Sequence, residues 1–372
     1  MTKILHLASF QGNLGDILSH SGFRPWFELI VGKPVEWVDI EIRDYYRQEA
    51  PLIDLVQRHL EDAALLVIGG GNYWETWPTR SRTGTSLDLT FDELTSLNLP
   101  IFFNSIGVDV AQGVSAQARA LPEFLNACST VDEFFLSVRN DGARETLVGS
   151  LGHSGTIDVL PDHGFFGTAL SKTPNSGSIA AINLAGDMEN VRFSDVSQQL
   201  QFSQIASFFN SSQASLFDQV VFIPHVLGDL DALRVFTENL DDKFRRERLG
   251  VAKLDTSTRH GNQSLQEYSR SSFTVSNRFH SNVVALSMGT RFVPLINYPQ
   301  IELLLNNLPV TWPFPKLEVA SSSDWPSLLE MALQVPPESY FEYSIEVMDG
   351  LRAQRQDVAD RLSDWLRNLG II

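Results

Sequence analysis

Hydrophobic positions along this chain fall into short, nearly continuous runs, separated by longer stretches in which they recur every three or four residues. In the first half the runs are "KILHLAS", "ALLVIGGGN", "LPIFFNSIG", "EFFLSVR" and "TIDVLP". Such runs read as strands and the amphipathic stretches between them as helices, so the pattern predicts successive βαβ units. Strands connected in this way lie parallel, in a sheet covered by helices on both faces. The segment 171–178, "SKTPNSGS", is polar, turn-rich and without apolar periodicity, and reads as a linker. The alternation then restarts with "SIAAINLA", "QVVFIPHV", "LGVAKL", "SFTVSN" and "RFVPLI". The chain closes on a helical pattern carrying Val347, Leu351, Val358, Leu362, Trp365, Leu366 and Leu369 on one side. The expected organisation is an N-terminal α/β domain over 1–172, a second over 173–345 and an amphipathic helix over 346–372.

Length agrees with this division, since 372 residues exceed what one hydrophobic core ordinarily supports. No apolar run approaches the roughly 20 residues that span a bilayer. The N-terminus is too short in its apolar stretch for a secretory signal and reads as a first strand. A single cysteine, Cys128, excludes an internal disulfide and a cysteine-based zinc site, and fits a reducing cytoplasm. The formal charge of −17 makes the summed field repel polynucleotides and anionic membranes, so neither nucleic acid nor stable membrane insertion is expected. The same field opposes an anionic small ligand, which would need a local cluster of arginines. Each arginine's position therefore carries information.

The most informative stretch is "SSFTVSNRFHSNVVALSMGTRFVPLI", residues 271–296. Ser276 or Asn277 reads as the N-cap of a helix that ends at Gly289, and Arg278 and His280 fall in its first turn. Basic groups there oppose the helix dipole, an arrangement that becomes favourable when an anion is bound beside the free N–H groups. The alternative is that Arg278 pairs with a carboxylate and His280 with a backbone carbonyl. Two glycine-containing turns follow strands in the first half. One holds Gly12, Asn13, Gly15 and Asp16; the other holds Gly69, Gly70, Gly71, Asn72 and Tyr73. Either permits close approach of a ligand or of another backbone, and neither matches a phosphate-loop or dinucleotide fingerprint. Arg139 ends the strand "EFFLSVR", where it can hold a carboxylate bidentately or pair with Asp141 or Glu145. Asp162 with His163, and His225 with Asp229 and Asp231, have metal-binding residue types without recognised ligand spacing, so no metal is expected.

Taken in order, GNLGD (12–16), GGGN (69–72), SVRND (137–141), LPDHGFF (160–166), FIPH (222–225) and SNRFHSNVVALSMGTRFVPLINY (276–298) resemble the polysaccharide pyruvyl transferase family. The resemblance implies two Rossmann-like α/β domains facing a cleft, similar to GT-B glycosyltransferases, with a C-terminal helix. It implies transfer of the enolpyruvyl skeleton of phosphoenolpyruvate to a sugar as a ketal, for a polysaccharide or glycan precursor, with no cofactor. Carried over by motif, Arg278, His280 and Arg139 would meet the donor. Asn277, beside the motif, is a further donor-binding candidate, and the chemistry of the transfer makes His280 the candidate general acid, with its protonation coupled to donor binding. Asn13, Asp16, Gly70, Gly71, Asn72 and Tyr73 would face the acceptor. Two positions depart from the family pattern: Phe279 stands where Leu is common, and Gln300 where a Lys often follows the Tyr motif.

Other readings of the same residues stay open: a GT-B glycosyltransferase with a nucleotide-sugar donor, or a non-catalytic sugar- or anion-binding member of the fold. The expected partners are phosphoenolpyruvate and a sugar acceptor, free, nucleotide-linked or lipid-linked. A lipid-linked acceptor would bring a cytoplasmic protein to the inner face of the membrane. Tyr73, Trp74 and Trp77 are sugar-stacking platforms or ordinary packing.

Overall fold

The computed structural model describes residues 1–48, 51–168, 173–254 and 262–372. They form two compact units. The first comprises Met1–Gln11, Ser19–His163 and Leu351–Ile372; the second comprises Gly12–Leu18 and Gly164–Gly350.

In the first unit, strands β1 (Thr2–Ala8), β2 (Val35–Glu41), β3 (Ala63–Gly69), β5 (Ile101–Ile106), β7 (Phe134–Arg139) and β8 (Asp158–Leu160) form a six-stranded sheet of order β2-β1-β3-β5-β7-β8. Every neighbouring pair is parallel. Two short strands, β4 (Trp74–Glu75) and β6 (Val108–Asp109), pair separately. Alternate residues of each central strand enter opposite cores, as the pleat requires. Leu5, Leu7, Leu66, Ile68, Ile101 and Phe103 face one core, packed with Leu121 and Leu125. Ile4, Leu65, Val67 and Phe102 face the other, which contains Phe23 and Phe27 of the helix Leu14–Val31. Burial on both faces explains why these strands are predominantly apolar. Strand β2 was not expected from the sequence, because an edge strand, half-buried along most of its length, leaves "VEWVDIE" without a continuous apolar run.

In the second unit, strands β9 (Ile179–Asn183), β10 (Gln219–Phe222), β11 (Leu249–Val251), β12 (Phe273–Ser276), β13 (Arg291–Ile296) and β14 (Leu317–Glu318) form a parallel sheet of order β11-β10-β9-β12-β13-β14. Numbered within the unit this is 3-2-1-4-5-6, the doubly-wound order, whose direction of travel reverses between its first and fourth strands. One face is covered by an aromatic core that includes Phe202, Phe208, Phe209, Phe236 and Trp325. The other carries Ala181, Val221, Ile223, Val284 and Met288, together with Leu18.

The sequence boundaries at 172 and 345 divide the chain differently from these units. Leu18 packs in the second unit's core, which draws the first turn of the helix Leu14–Val31 with it. The terminal helix is longer than expected, Pro337–Asn368, and its residues from Leu351 onward belong to the first unit. There Val358, Leu362 and Leu366 are buried in the core that holds Ile4 and Phe102, and Trp365 Nε1 donates to the Asp132 carbonyl at 2.8 Å. The first residues of the expected linker, 171 and 172, lie outside the described residues. No helix among the described residues is long and apolar enough to cross a membrane.

Three buried histidines in the first unit make its stability depend on pH. His163 Nε2 donates to Asn104 Oδ1 at 2.8 Å, and the His6 and His20 rings lie 4.9 Å apart. Burial, followed by the Arg355 charge, pushes the His163 pKa down from 6.5 to about 3, against a weaker opposing effect of Asp162. Burial, then His20 and Arg24, pushes His6 well below its usual value. A depressed histidine pKa means that the unfolded chain takes up a proton the folded chain refuses. Stability is therefore complete above pH 6.5 and is lost as pH falls toward 3. His163 alone contributes a loss of about 2 kcal/mol by pH 5. Urea denaturation at pH 7.5 and pH 5, with His163→Gln as the control that removes this component, measures it.

Candidate functional site

The strand order of the second unit reverses between β9 and β12, and at that point the backbone polar groups are tied together by two asparagines. Asn183 Nδ2 donates to the Ile223 carbonyl at 2.7 Å, and Asn277 Oδ1 accepts from the Ala185 N–H at 2.6 Å. Asn277 is fully buried, so its side chain braces the 184–188 loop and is turned away from the helix that follows. That is why it does not cap the helix. The helix runs Phe279–Ser287 with Arg278 in the N-cap position, in extended conformation (φ −103°, ψ 142°). It ends as expected: Gly289 takes φ 69°, and Thr290 and Gly289 N–H groups bond back to the Ala285 and Leu286 carbonyls, both at 3.0 Å.

Arg278 is held by two carboxylates. Its Nε donates to both Asp229 oxygens at 2.9 Å, and its Nη2 donates to Asp229 Oδ1 and, at 3.0 Å, to Asp187 Oδ2. Nη1 has no hydrogen-bond partner among the described residues. Burial works against the guanidinium charge, but Asp229 and then Asp187 outweigh it and hold its pKa above the usual arginine value. Asp229 opens the helix Asp229–Glu238 and is fully buried. It also accepts from the His225 and Val226 N–H groups at 2.8 and 3.3 Å. Of the two sequence alternatives for Arg278, carboxylate pairing is the arrangement present.

His225 is buried with its ring 2.7 Å from the Tyr268 hydroxyl, which in turn lies 2.7 Å from Ser281 Oγ. Burial, then the Arg278 and His280 charges, pushes the His225 pKa well below its usual value, so this imidazole is neutral. Asp229 is committed to Arg278 and Asp231 is exposed, so the FIPH and GDLD residues do not converge as metal ligands.

His280, the second residue of its helix, packs on the N-terminal turn. A Cβ placed on Gly15 would come within 2.2 Å of His280 Nδ1, which makes glycine a steric requirement there. The turn is held by Asn13, whose Oδ1 accepts from the Gly15 N–H at 3.0 Å and whose Nδ2 donates to Asp16 at 3.3 Å. The Leu14 N–H donates to the His225 carbonyl at 3.1 Å. Asn13 and Asp16 thus belong to the same compact unit as Arg278 and His280, although they were expected in the first domain.

The remaining sequence candidates belong to the first unit. Arg139 is 3% exposed and ion-paired with Asp141 at 2.6 Å and Asp162 at 3.4 Å. Its guanidinium meets Asn72 across Gly107, where an added Cβ would sit 2.6 Å from Arg139 Nη2 and 2.4 Å from Asn72 Oδ1. The GGGN loop and Arg139 are therefore brought together. Gly69 (φ 143°) allows another backbone to approach, since a Cβ there would lie 2.1 Å from the Asn104 carbonyl oxygen. Gly70 has φ 87° and Gly71 accepts from the Gly107 N–H at 3.0 Å. The Tyr73 hydroxyl accepts from the Ser9 N–H at 2.7 Å. Trp74 is core, whereas Trp77 is 42% exposed. A cavity of about 150 Å³ lined by Trp74, Leu87, Leu89, Phe91, Leu121 and Phe124 shares no residue with either cluster of polar candidates.

Arg192, Asp187 and Tyr268 were not singled out in the sequence. Asp187 follows a strand end, in "INLAGD", just as Asp16 does in "SFQGNLGD", and the rule that ligands meet carboxyl ends of strands would have flagged it. Tyr268 gives no such signal.

A family model described as polysaccharide pyruvyl transferase matches residues 10–298. No curated protein matches the chain. Among solved structures, HepE of Anabaena in complex with UDP-glucose is similar at TM-score 0.54 and 12% identity, over 98% of this chain and 100% of that one. A glycosyltransferase from Rickettsia africae is similar at 0.55 and 8%, over 99% of each chain. The S. aureus MnaA–UDP structure is similar at 0.56 and 10%, over 92% of this chain and 91% of that one.

The unequal burial of the two carboxylates sets an expected outcome. Asp229→Ala leaves Arg278 without its buried partner and should cost about 3–5 kcal/mol in urea denaturation. Asp187 is 39% exposed, so Asp187→Ala should cost no more than about 1 kcal/mol after solvent screening.

Proposed function

The chain belongs to the polysaccharide pyruvyl transferase family, and we propose that it moves the pyruvyl group of phosphoenolpyruvate onto two hydroxyls of a sugar as a ketal, releasing phosphate. The observation that carries this reading is the placement of Arg278. A buried aspartate orients it at the topological switch point of the second unit, at the start of the helix that carries His280. Anionic substrates of doubly-wound sheets bind at that position, where helix N–H groups and a guanidinium act together.

In the proposed reaction His280 gives a proton to the donor's methylene carbon, which becomes the methyl group. Positive character develops at the adjacent carbon, and a sugar hydroxyl attacks it. The C–O bond to phosphate breaks, and a second hydroxyl closes the ketal. Of the two hydroxyl protons released, one restores the acid and one leaves with phosphate, so the step balances without a redox partner. Asn277 serves here as the brace of the 184–188 loop, because its Oδ1 is committed to the Ala185 N–H. The reading does not depend on Arg139, whose guanidinium could meet the donor only by exchanging Asp141 or Asp162. Asn13 and Asp16, in the same unit as Arg278 and His280, are the polar candidates for contact with the acceptor.

A second reading, transfer from a nucleotide sugar, draws support from the UDP-glucose complex of the similarly folded Anabaena protein. Thermal shift with phosphoenolpyruvate and with UDP-sugars distinguishes the two donors.

Phosphate release from phosphoenolpyruvate, assayed with galactose, glucose, mannose and N-acetylmannosamine derivatives, should occur with one acceptor class. It should fall roughly 10²- to 10⁴-fold in His280→Ala. Undiminished release in that variant would remove His280 from the acid role.

A further inference from the structure

We infer that Arg192 and Arg278 together form the anion site of the second unit, and that Asp187 is its resident occupant, a carboxylate that an incoming phosphate or carboxylate displaces. The inference rests on the proposed reading only for the identity of the anion.

Asp187 bridges the two arginines as a bound anion would. Its Oδ2 lies 3.0 Å from Arg278 Nη2 and its Oδ1 lies 3.4 Å from Arg192 Nε. Arg192 is 7% exposed and oriented on its other sides. Its Nη1 donates to the Asn277 carbonyl at 3.0 Å and to Asn297 Oδ1 at 3.3 Å, and its guanidinium lies over the Tyr298 ring at 4.6 Å. A buried cation supported in this way is a built binding group. Its remaining direction points at Asp187.

The carboxylate fills this place poorly. Asp187 Oδ1 and Arg192 Nε are both buried, and neither makes a well-directed hydrogen bond. Buried charged atoms held only at ion-pair distance favour a ligand that also hydrogen-bonds them, and a phosphate presents more acceptor oxygens than a carboxylate. The residue after Asp187 is Met188, with φ 57° in the left-handed region that a long side chain adopts at a cost. The loop therefore holds Asp187 in place against its own backbone preference.

The two aspartates differ in permanence. Asp229 is fully buried and accepts from two backbone N–H groups as well as from Arg278. Asp187 is 39% exposed and sits on the loop before the helix Glu189–Arg192. With both in place the charges of the two arginines are cancelled. A multiply charged anion entering beside a retained Asp187 would meet net repulsion in a largely desolvated pocket, whereas release of Asp187 to solvent leaves the arginines to the ligand. Asp187 thus lowers affinity for the anion, holds the arginines in register while the site is empty, and excludes ligands too weak to replace it.

The test is calorimetric titration of the full chain, as wild type, Asp187→Asn, Arg192→Gln and Arg192→Lys, with phosphoenolpyruvate, with inorganic phosphate and with UDP, alongside the melting temperature of each variant. Asp187→Asn should bind phosphoenolpyruvate and phosphate roughly tenfold more tightly, the effect of removing one like-charge contact. Arg192→Gln should bind them at least roughly tenfold more weakly, and Arg192→Lys, which keeps the charge but loses the planar fork, should fall between. Phosphoenolpyruvate binding that is unchanged or weaker in Asp187→Asn overturns the inference while leaving the donor reading intact. Tightening for UDP with no binding of phosphoenolpyruvate supports the anion site and overturns the donor reading. Affinity unchanged in a folded Arg192→Lys and Arg192→Gln removes Arg192 from the site. Absence of anion binding by wild type and Asp187→Asn alike overturns both.

Discussion

The buried pairing of Arg278 with Asp229 is the interaction on which the second unit's chemistry depends. A guanidinium enclosed at the carboxyl end of a sheet is tolerated only with a counter-charge in contact, and Asp229 supplies one that is itself anchored by the His225 and Val226 N–H groups. Those two residues end the segment after β10, while Arg278 follows β12, so a single carboxylate links the ends of two non-adjacent strands. Between them lies β9, whose terminal Asn183 binds the Ile223 carbonyl and whose following loop is braced by Asn277. The arginine's direction is therefore set by the sheet, and little freedom remains to be lost when a ligand binds.

Electrostatics explain why such precision is needed in this chain. A formal charge of −17 keeps anions away from most of the surface, so any anionic ligand depends on local positive charge. Arg192 and Arg278 provide that charge within one unit, yet each is neutralised in the unliganded state by an aspartate. The arrangement avoids leaving buried cations unpaired and still allows one of the two counter-charges, the partly exposed one, to be exchanged. The first unit treats Arg139 differently. Both of its carboxylate partners are buried, and the pair functions as part of the frame that positions Gly107 and Asn72.

Much of the fold was legible in the sequence because the central parallel strands, buried on both faces, are predominantly apolar and stand out as short apolar runs. The runs from "KILHLAS" to "RFVPLI" accordingly correspond to β1, β3, β5 and β7 to β13. The edge strand β2 and the two-residue strands β4, β6 and β14 escaped, the first because half-exposed positions interrupt its apolar pattern and the others because they are too short to have one. The glycine at the end of the His280 helix was readable, since a left-handed C′ position selects for it. The helix start was displaced because Asn277, an apt capping residue by type, has its side chain engaged elsewhere.

By itself the sequence determined the α/β class, the parallel strands, the two-part organisation, and the family, whose most specific motif contains Arg278 and His280. These depend on local pattern and residue type, which the chain displays directly. Tertiary structure decided which charges meet: that Arg278 lies between Asp229 and Asp187, that Arg192 shares the second of these, that Gly15 makes room for His280, and that Arg139 is enclosed by Asp141 and Asp162. Those pairings join residues as many as 265 positions apart, as in the Gly15–His280 contact. Their energies depend on burial and on distances of a few ångströms, quantities that exist once the sheets have assembled and that no linear pattern records.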